Sequence, residues 1–272
     1  MNAIARFGVL RFKTGSTGLF MKNYVMGFLL LFSGHSVFAQ SAVTPDMNII
    51  FSLLAPGPGL RLQLDITLPP SLSGAAGLRH AVDTLNNLRV LPDLSSEVDE
   101  AERRSLGGNR FRIHTVVRKW GRHHTVWLCT VTETPGQSWT QHCALDPREE
   151  DNHNFFQRAS GEFTEECIAG GSGPVTCSLV YQVIPNSYAT KSVEEMAGLF
   201  VENTVHDNAG IAYMISNPDV SASDAKRYFE SSSARRVHSN LGRHVTENYT
   251  ATSLLRITGN LNSSSLRVQH SR

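Results

Sequence analysis

The chain has no apolar run long enough to cross a bilayer as a helix. The best candidate, Val25 to Phe32, falls far short of the about 20 residues that a hydrocarbon core demands. A G-x-S-x-G nucleophile elbow, a P-loop and a dinucleotide fingerprint are also missing, which removes the commonest hydrolase and nucleotide-dependent readings and leaves no cofactor to expect. The four cysteines form no CxxC pair and the histidines no His-x-x-Glu-His spacing, so no metal site is expected. Positive charge is scarce where it would matter. Residues 40–216 carry 13 Lys/Arg against 20 Asp/Glu, a balance that repels phosphate backbones and argues against a nucleic-acid partner.

The N-terminus carries a different signal. In residues 22–39 a lysine precedes the run Val25 to Phe32, and Val37-Phe38-Ala39 follows. That is the charged, apolar and small-residue order of a secretory signal, with cleavage predicted after Ala39 and a secreted or periplasmic product. Met21 heads a complete signal by itself. Gln40, not a cysteine, stands directly after the cleavage point, which speaks against a lipid anchor.

An even number of cysteines in an oxidising compartment points to disulfides. Cys129 and Cys143 lie equidistant from Gly136, and Cys167 and Cys177 equidistant from Ser172, each pair flanking a turn between strand-like runs. Residues so placed oppose one another across a hairpin within bridging range. The predicted bonds are Cys129–Cys143 and Cys167–Cys177. Cross-strand bridges are reducible, which leaves a redox role as an alternative.

Along the chain, residues 40–59 end in the breaker cluster Ala55-Pro56-Gly57-Pro58-Gly59 and read as a linker. Leu62, Leu64, Ile66 and Leu68 alternate with polar residues, as in a strand with one buried face. Helical spacing follows from Ser71 to Leu94, with Pro92 as its expected stop, and Val98 to Leu106 suggests an edge strand. Phe111, Ile113, Thr115 and Val117 alternate, and strand patterns recur on both sides of Gly136 and of Gly170 to Gly173. Ser192 and Glu195 have capping-box spacing ahead of a long helix striped by Met196, Leu199, Phe200, Val205, Ala209, Tyr213 and Met214, which Pro218 closes. Residues 217–272 are polar, with 8 Lys/Arg against 4 Asp/Glu, and read as a mostly disordered cationic tail with a short helix near Asp224–Arg236 and a short strand near Ser253–Ile257. The order predicts an α+β fold in which a curved antiparallel sheet wraps a long C-terminal helix.

Residues 60–216 resemble the START-like superfamily, also called SRPBCC or helix-grip proteins, of the polyketide cyclase or coenzyme-Q-binding START-domain type. The likeness rests on the first strand running into Pro69-Pro70, the phrase Leu88–Leu94, the turn-strand Gly107-Gly108-Asn109-Arg110-Phe111-Arg112, Gly161-Glu162-Phe163, and the terminal amphipathic helix. The export signal, cysteine pairs and tail depart from the commoner pattern. The resemblance implies a cavity between sheet and helix for a lipid, isoprenoid or aromatic guest, lined by Phe111, Ile113, Thr115, Val117, Phe163, Leu179, Tyr181, Met196, Phe200 and Tyr213. Val183 could join them. Two other readings compete: a cyclase- or dehydrase-type enzyme moving protons with His114, Tyr181 or Tyr213, and an interaction module touching an envelope surface or protein through the tail.

Other chemistry-bearing residues have plainer readings. His114, His123, His124, His142 and His153 are expected on strand surfaces. Ser223-Asp224-Ala225-Lys226 matches S-x-x-K, but no Lys-Thr-Gly partner exists in the chain. Glu149, Glu150, Asp151 and the pair Glu165-Glu166 read as solvated charge, because adjacent carboxylates on a strand point to opposite faces and form no dyad. Arg110, Arg112, Arg118, Lys119 and Arg122 form a basic stretch that could meet an anionic head group.

Overall fold

The computed structural model describes residues 43–54, 59–118, 122–231, 234–249 and 254–271, all within the compact unit Ser41–Arg272. The expected signal and its cleavage point lie outside the described residues.

In the core of the fold, β2 (Gly59–Thr67) leads into α1 (Gly74–Asn86), a single 3-10 turn and α2 (Leu91–Leu94). Six strands follow: β3 (Val98–Gly107), β4 (Arg110–Val117), β5 (His123–Thr134), β6 (Ser138–Leu145), β7 (Phe156–Ala169) and β8 (Val175–Pro185). The short helix α3 (Glu150–Phe155) interrupts them before β7, and α4 (Val193–Ser216) closes the series. The strands pair antiparallel in the order β2-β8-β7-β6-β5-β4-β3, so the edge position expected for Val98–Leu106 is the one found. The curved sheet and its long helix are the helix-grip arrangement expected from the sequence. Both disulfides are formed as predicted, between residues directly opposed in register.

Local chemistry explains the boundaries. At the start of α4, the Ser192 hydroxyl accepts from the Glu195 amide at 3.3 Å while the Glu195 carboxylate accepts from the Ser192 amide at 2.9 Å, so two amides with no partner inside the helix are satisfied reciprocally. Gly107 and Gly108 turn β3 into β4 with φ of 96° and 60°, a region that disfavours side chains. Pro92 does not stop the helical stretch as expected. It stands in the first turn of α2, where its missing N–H would have no partner in any case.

Two larger expectations are corrected. Residues 46–54 of the supposed linker are β1 (Asp46–Leu54), paired with β2 from Asp46↔Thr67 to Leu54↔Gly59. Met47, Ile49 and Phe51 alternate inward and are fully buried, so the Pro- and Gly-rich run separates two partners of one sheet. Nor is the tail mostly disordered. It forms α5 (Ala222–Ser231), α6 (Ala234–Asn248), β9 (Leu254–Asn260) and β10 (Ser265–Ser271), and the last two strands extend the sheet beyond β1. Low mean hydropathy masked two narrow stripes at helical spacing, Ala222, Ala225 and Phe229 in α5 and Val237, Leu241 and Val245 in α6, all buried. The tail thus packs on the fold, which removes the premise of a free cationic arm. Gly198 of α4 and Gly242 of α6 set the closest approach of those helices: a Cβ on Gly198 would stand 2.7 Å from the Gly242 carbonyl oxygen.

Candidate functional site

Strand register defines the residues that share the face toward α4. One row crosses the sheet as Leu62, Tyr181, Phe163, Cys143, Cys129 and Phe111. The next runs Leu64, Leu179, Glu165 and Gln141. A parallel row carries Arg103, Ile113, Trp127 and Leu145. The β1–β2 end of this face is wholly aliphatic or aromatic and closed, with Leu60, Leu62 and Leu64 at 0% exposure.

The β3–β8 end is hollow. A cavity of about 270 Å³ lies there, walled by Ile113, Trp127, Phe156, Phe163, Tyr181 and Phe200 among others. A second compartment of about 190 Å³ continues it along the flank of α4, and Val98, Val117, Thr125, Phe156, Phe200, Thr204 and Asp207 line both. Of the predicted site residues, Ile113, Thr115, Val117, Phe163, Tyr181 and Phe200 line the inner cavity, while Met196 lines the outer compartment. Phe111, Leu179 and Tyr213 line neither. Phe111 lies under the Arg103 guanidinium, 3.5 Å from its ring centre, a cation–π contact that caps it. Leu179 is fully buried between Leu64 and Glu165. Tyr213 stacks on Tyr228 of α5 at 4.3 Å between ring centres; the stripe to which it was assigned also had to supply the contacts with the added helices.

Of the cavity's polar groups, Thr115 and Tyr181 were expected from the sequence, while Gln141, Glu165 and Asn208 were not. Glu165 is buried, not solvated, at 8% exposure. The Gln141 amide donates to its Oε2 at 3.1 Å, and burial pushes its carboxyl up to about 7, with the Arg103 guanidinium drawing it back down. A carboxyl so placed changes protonation near neutrality. Gln141 Oε1 is buried without a protein hydrogen-bond partner among the described residues. Opposite, the Asn208 amide of α4 donates to the Tyr181 hydroxyl at 3.1 Å and to the Thr204 carbonyl at 2.8 Å. Burial, followed by the Glu165 charge, holds the Tyr181 hydroxyl far above its usual range, so it stays protonated. Strand alternation could have found Glu165, since Phe163 had already been placed inward and residue 165 lies two further on the same strand.

The other candidates fall outside this site. His114 is not a cavity group: its ring lies parallel to that of His124 and meets it nitrogen to nitrogen at 2.7 Å. His123 meets the Tyr188 hydroxyl at 2.8 Å. Among the described residues no cluster of three or more His, Cys, Asp or Glu could hold a metal. Three members of the basic stretch pair with acids, Arg112 with Glu149 at 3.5 Å, Arg122 with Glu100 at 3.0 Å, and Arg118 with Asp99; Lys119 lies outside the described residues. Lys226 of the S-x-x-K match donates to the Ser95 carbonyl at 3.2 Å instead of serving Ser223.

No family model matches the sequence, and no curated relative does. Solved structures give likenesses of fold. Human STARD10 aligns over 67% of this chain and 77% of its own at 10% identity and a TM-score of 0.44. The STAR-related lipid transfer protein of Xanthomonas axonopodis aligns over 64% and 99% at 9% identity and a TM-score of 0.44. The Zhui aromatase/cyclase of Streptomyces aligns over 58% and 93% at 10% identity and a TM-score of 0.40. With values this low, the ligand has to be read from this chain's own residues. Two disulfides suit an oxidising compartment, and no described helix is long and apolar enough to cross a membrane.

Proposed function

We propose that the chain is an exported START-like domain that binds or carries one hydrophobic small molecule in the β3–β8 half of its sheet–helix space. The observation that carries this reading is the aromatic-walled cavity of about 270 Å³ joined to a compartment of about 190 Å³. Concave apolar spaces holding a few fixed polar groups are the usual small-molecule sites, and known ones span about 300–1,000 Å³. A combined space at the low end of that range favours an aromatic or single-chain guest over a bulky two-chain lipid. Glu165 offers a carboxyl to the guest's polar end, while Ile113, Trp127, Phe163 and Phe200 supply the apolar wall. The test is to purify the protein without detergent, extract it into organic solvent and identify the extract by mass spectrometry. A single apolar or amphiphilic species near one per chain supports the proposal. An empty protein that cannot be loaded with any apolar compound contradicts it.

A second reading, catalysis of the cyclase or dehydrase kind, draws support from one feature. Glu165 faces the cavity with a carboxyl that gains and loses a proton at about 7, close to the working range wanted of a general acid or base. On this reading Glu165→Gln retains binding but abolishes conversion of the guest, whereas a carrier shows no conversion with either residue.

A further inference from the structure

Two charged side chains reach the inner cavity from different strands without meeting. Arg103 stands on β3 at the sheet edge and Glu165 on β7, and both line the cavity. No ion pair joins them among the described residues. The Arg103 guanidinium rests one face on the Phe111 ring and spends one N–H on the Asn86 amide oxygen, which leaves most of its five in-plane donors uncommitted among the described residues. Glu165 accepts from Gln141 through Oε2, and its Oε1 has no protein hydrogen-bond partner among the described residues. The other charged group of the lining is Asp207 of α4, which holds His206 at 3.0 Å. Tyr181 of β8 keeps its proton and is bonded to Asn208. On α1, Arg79 and Asp83 are exposed and His80 meets the Ile215 carbonyl at 3.1 Å, while His142 and Glu166 belong to the outer face of β6 and β7. Arg103 is therefore the one cation of the described lining.

A half-buried cation with no counterion beside it is costly in an apolar space. A carboxylate on the guest removes that cost. One of its oxygens accepts from the guanidinium and the other from the Glu165 O–H, both as charge-assisted bonds. A protonated amine would be repelled by Arg103, and an alcohol would leave the guanidinium without a counterion. A second carboxylate beside Glu165 also disfavours the ionised form of Glu165. Burial has already pushed that carboxyl up to about 7, so above neutrality Glu165 takes up a proton from solvent as the guest enters.

We infer that the polar end of the inner cavity is a carboxylate site, in which Arg103 and the Glu165 carboxyl hold between them the acid group of an apolar carboxylic acid. The inference rests on the cavity reading above and adds the guest's acid group and its coupling to proton uptake. It is tested with the full chain and three probes of one chain length, decanoate, decanol and decylamine. Each is titrated calorimetrically at pH 6 and pH 8 in buffers of different ionisation enthalpy, which counts the protons exchanged. At pH 6 decanoate binds about tenfold more tightly than decanol, the equivalent of about 1.4 kcal/mol, and decylamine binds least. Decanoate is ionised at both pH values, yet it loses affinity by about tenfold at pH 8, where binding takes up about one proton per chain. Glu165→Gln makes decanoate binding equal at the two pH values and removes the proton uptake, and Arg103→Met removes the preference for decanoate over decanol. The inference is overturned, and the cavity spared, if decanoate binds no tighter than decanol at pH 6, if decylamine binds tighter, or if decanoate affinity holds at pH 8. A pH dependence that survives Glu165→Gln, or a preference that survives Arg103→Met, has the same consequence. Failure of all three probes to bind saturably overturns both.

Discussion

The two ends of one sheet face do different work. Toward β1 and β2, the residues facing inward are Met47, Ile49, Phe51, Leu60, Leu62, Leu64 and Ile66, each at 0–1% exposure. Toward β3–β7, the same alternation presents Ile113, Trp127 and Phe163 together with Arg103, Gln141 and Glu165, and they border empty space. None of the described lining residues of the two cavity compartments comes from β1 or β2. Alternation decides which side a residue faces, while the elements lying above it decide whether it meets a neighbour or a guest.

The sharpest test of that contrast is a pair of truncations. Leu64→Ala opens a hole in close-packed surroundings and should cost about 3–5 kcal/mol in urea denaturation, whereas Ile113→Ala, which already borders a void, should cost about 1–2 kcal/mol and weaken probe binding instead. Equal losses of stability would erase the distinction. Next in size is the charge buried only in the hollow end. Because folding raises the Glu165 pKa from 4.5 to about 7, the native state keeps a proton that the unfolded chain releases inside that window. Stability from this group is therefore greatest below pH 4.5 and falls as pH rises to 7, by up to about 3 kcal/mol. Glu165→Gln should abolish that fall. His238, with a pKa lowered from 6.5 to about 4, acts in the opposite direction, and the variant should show only the loss of stability as pH drops through that interval. A Glu165→Gln protein still losing stability from pH 4.5 to 7 would refute the assignment.

Smaller effects probe what holds α4 over both ends. Gly198→Ala forces a methyl against α6 and should cost about 1–3 kcal/mol, lowering the melting temperature; an unchanged melting temperature would mean that the α4–α6 approach yields easily. Ser192→Ala removes one partner of the capping box and should cost about 1 kcal/mol, read by the same denaturation series.

The sheet and its gripped helix were legible because alternation in Arg61–Leu68 and Phe111–Val117 and the helical stripe beyond Ser192 are strong periodic signals, and the cysteine spacing gave both bonds. What escaped notice had weaker physical marks. β1 shows the same alternation but precedes a breaker cluster that looks like a boundary. α5 and α6 hide narrow apolar stripes within Ser-, Arg- and Asn-rich sequence. Glu165 escaped because the neighbouring Glu166 made the pair look like solvated charge, although the two lie on opposite faces. Phe111, Leu179 and Tyr213 were rightly placed inside, but one sequence cannot distinguish a wall from a filled core. That distinction depends on α4 sitting above them and on Arg103 reaching in from the sheet edge.

The central claim, a guest space confined to the β3–β8 end, is tested most directly by titrating an environment-sensitive apolar fluorophore into the protein and into Thr115→Phe, which fills the cavity from its wall. The account predicts saturable binding at one probe per chain, lost in Thr115→Phe while the fold and melting temperature persist. Unsaturable binding in the parent protein, or equal binding after the cavity is filled, would contradict it.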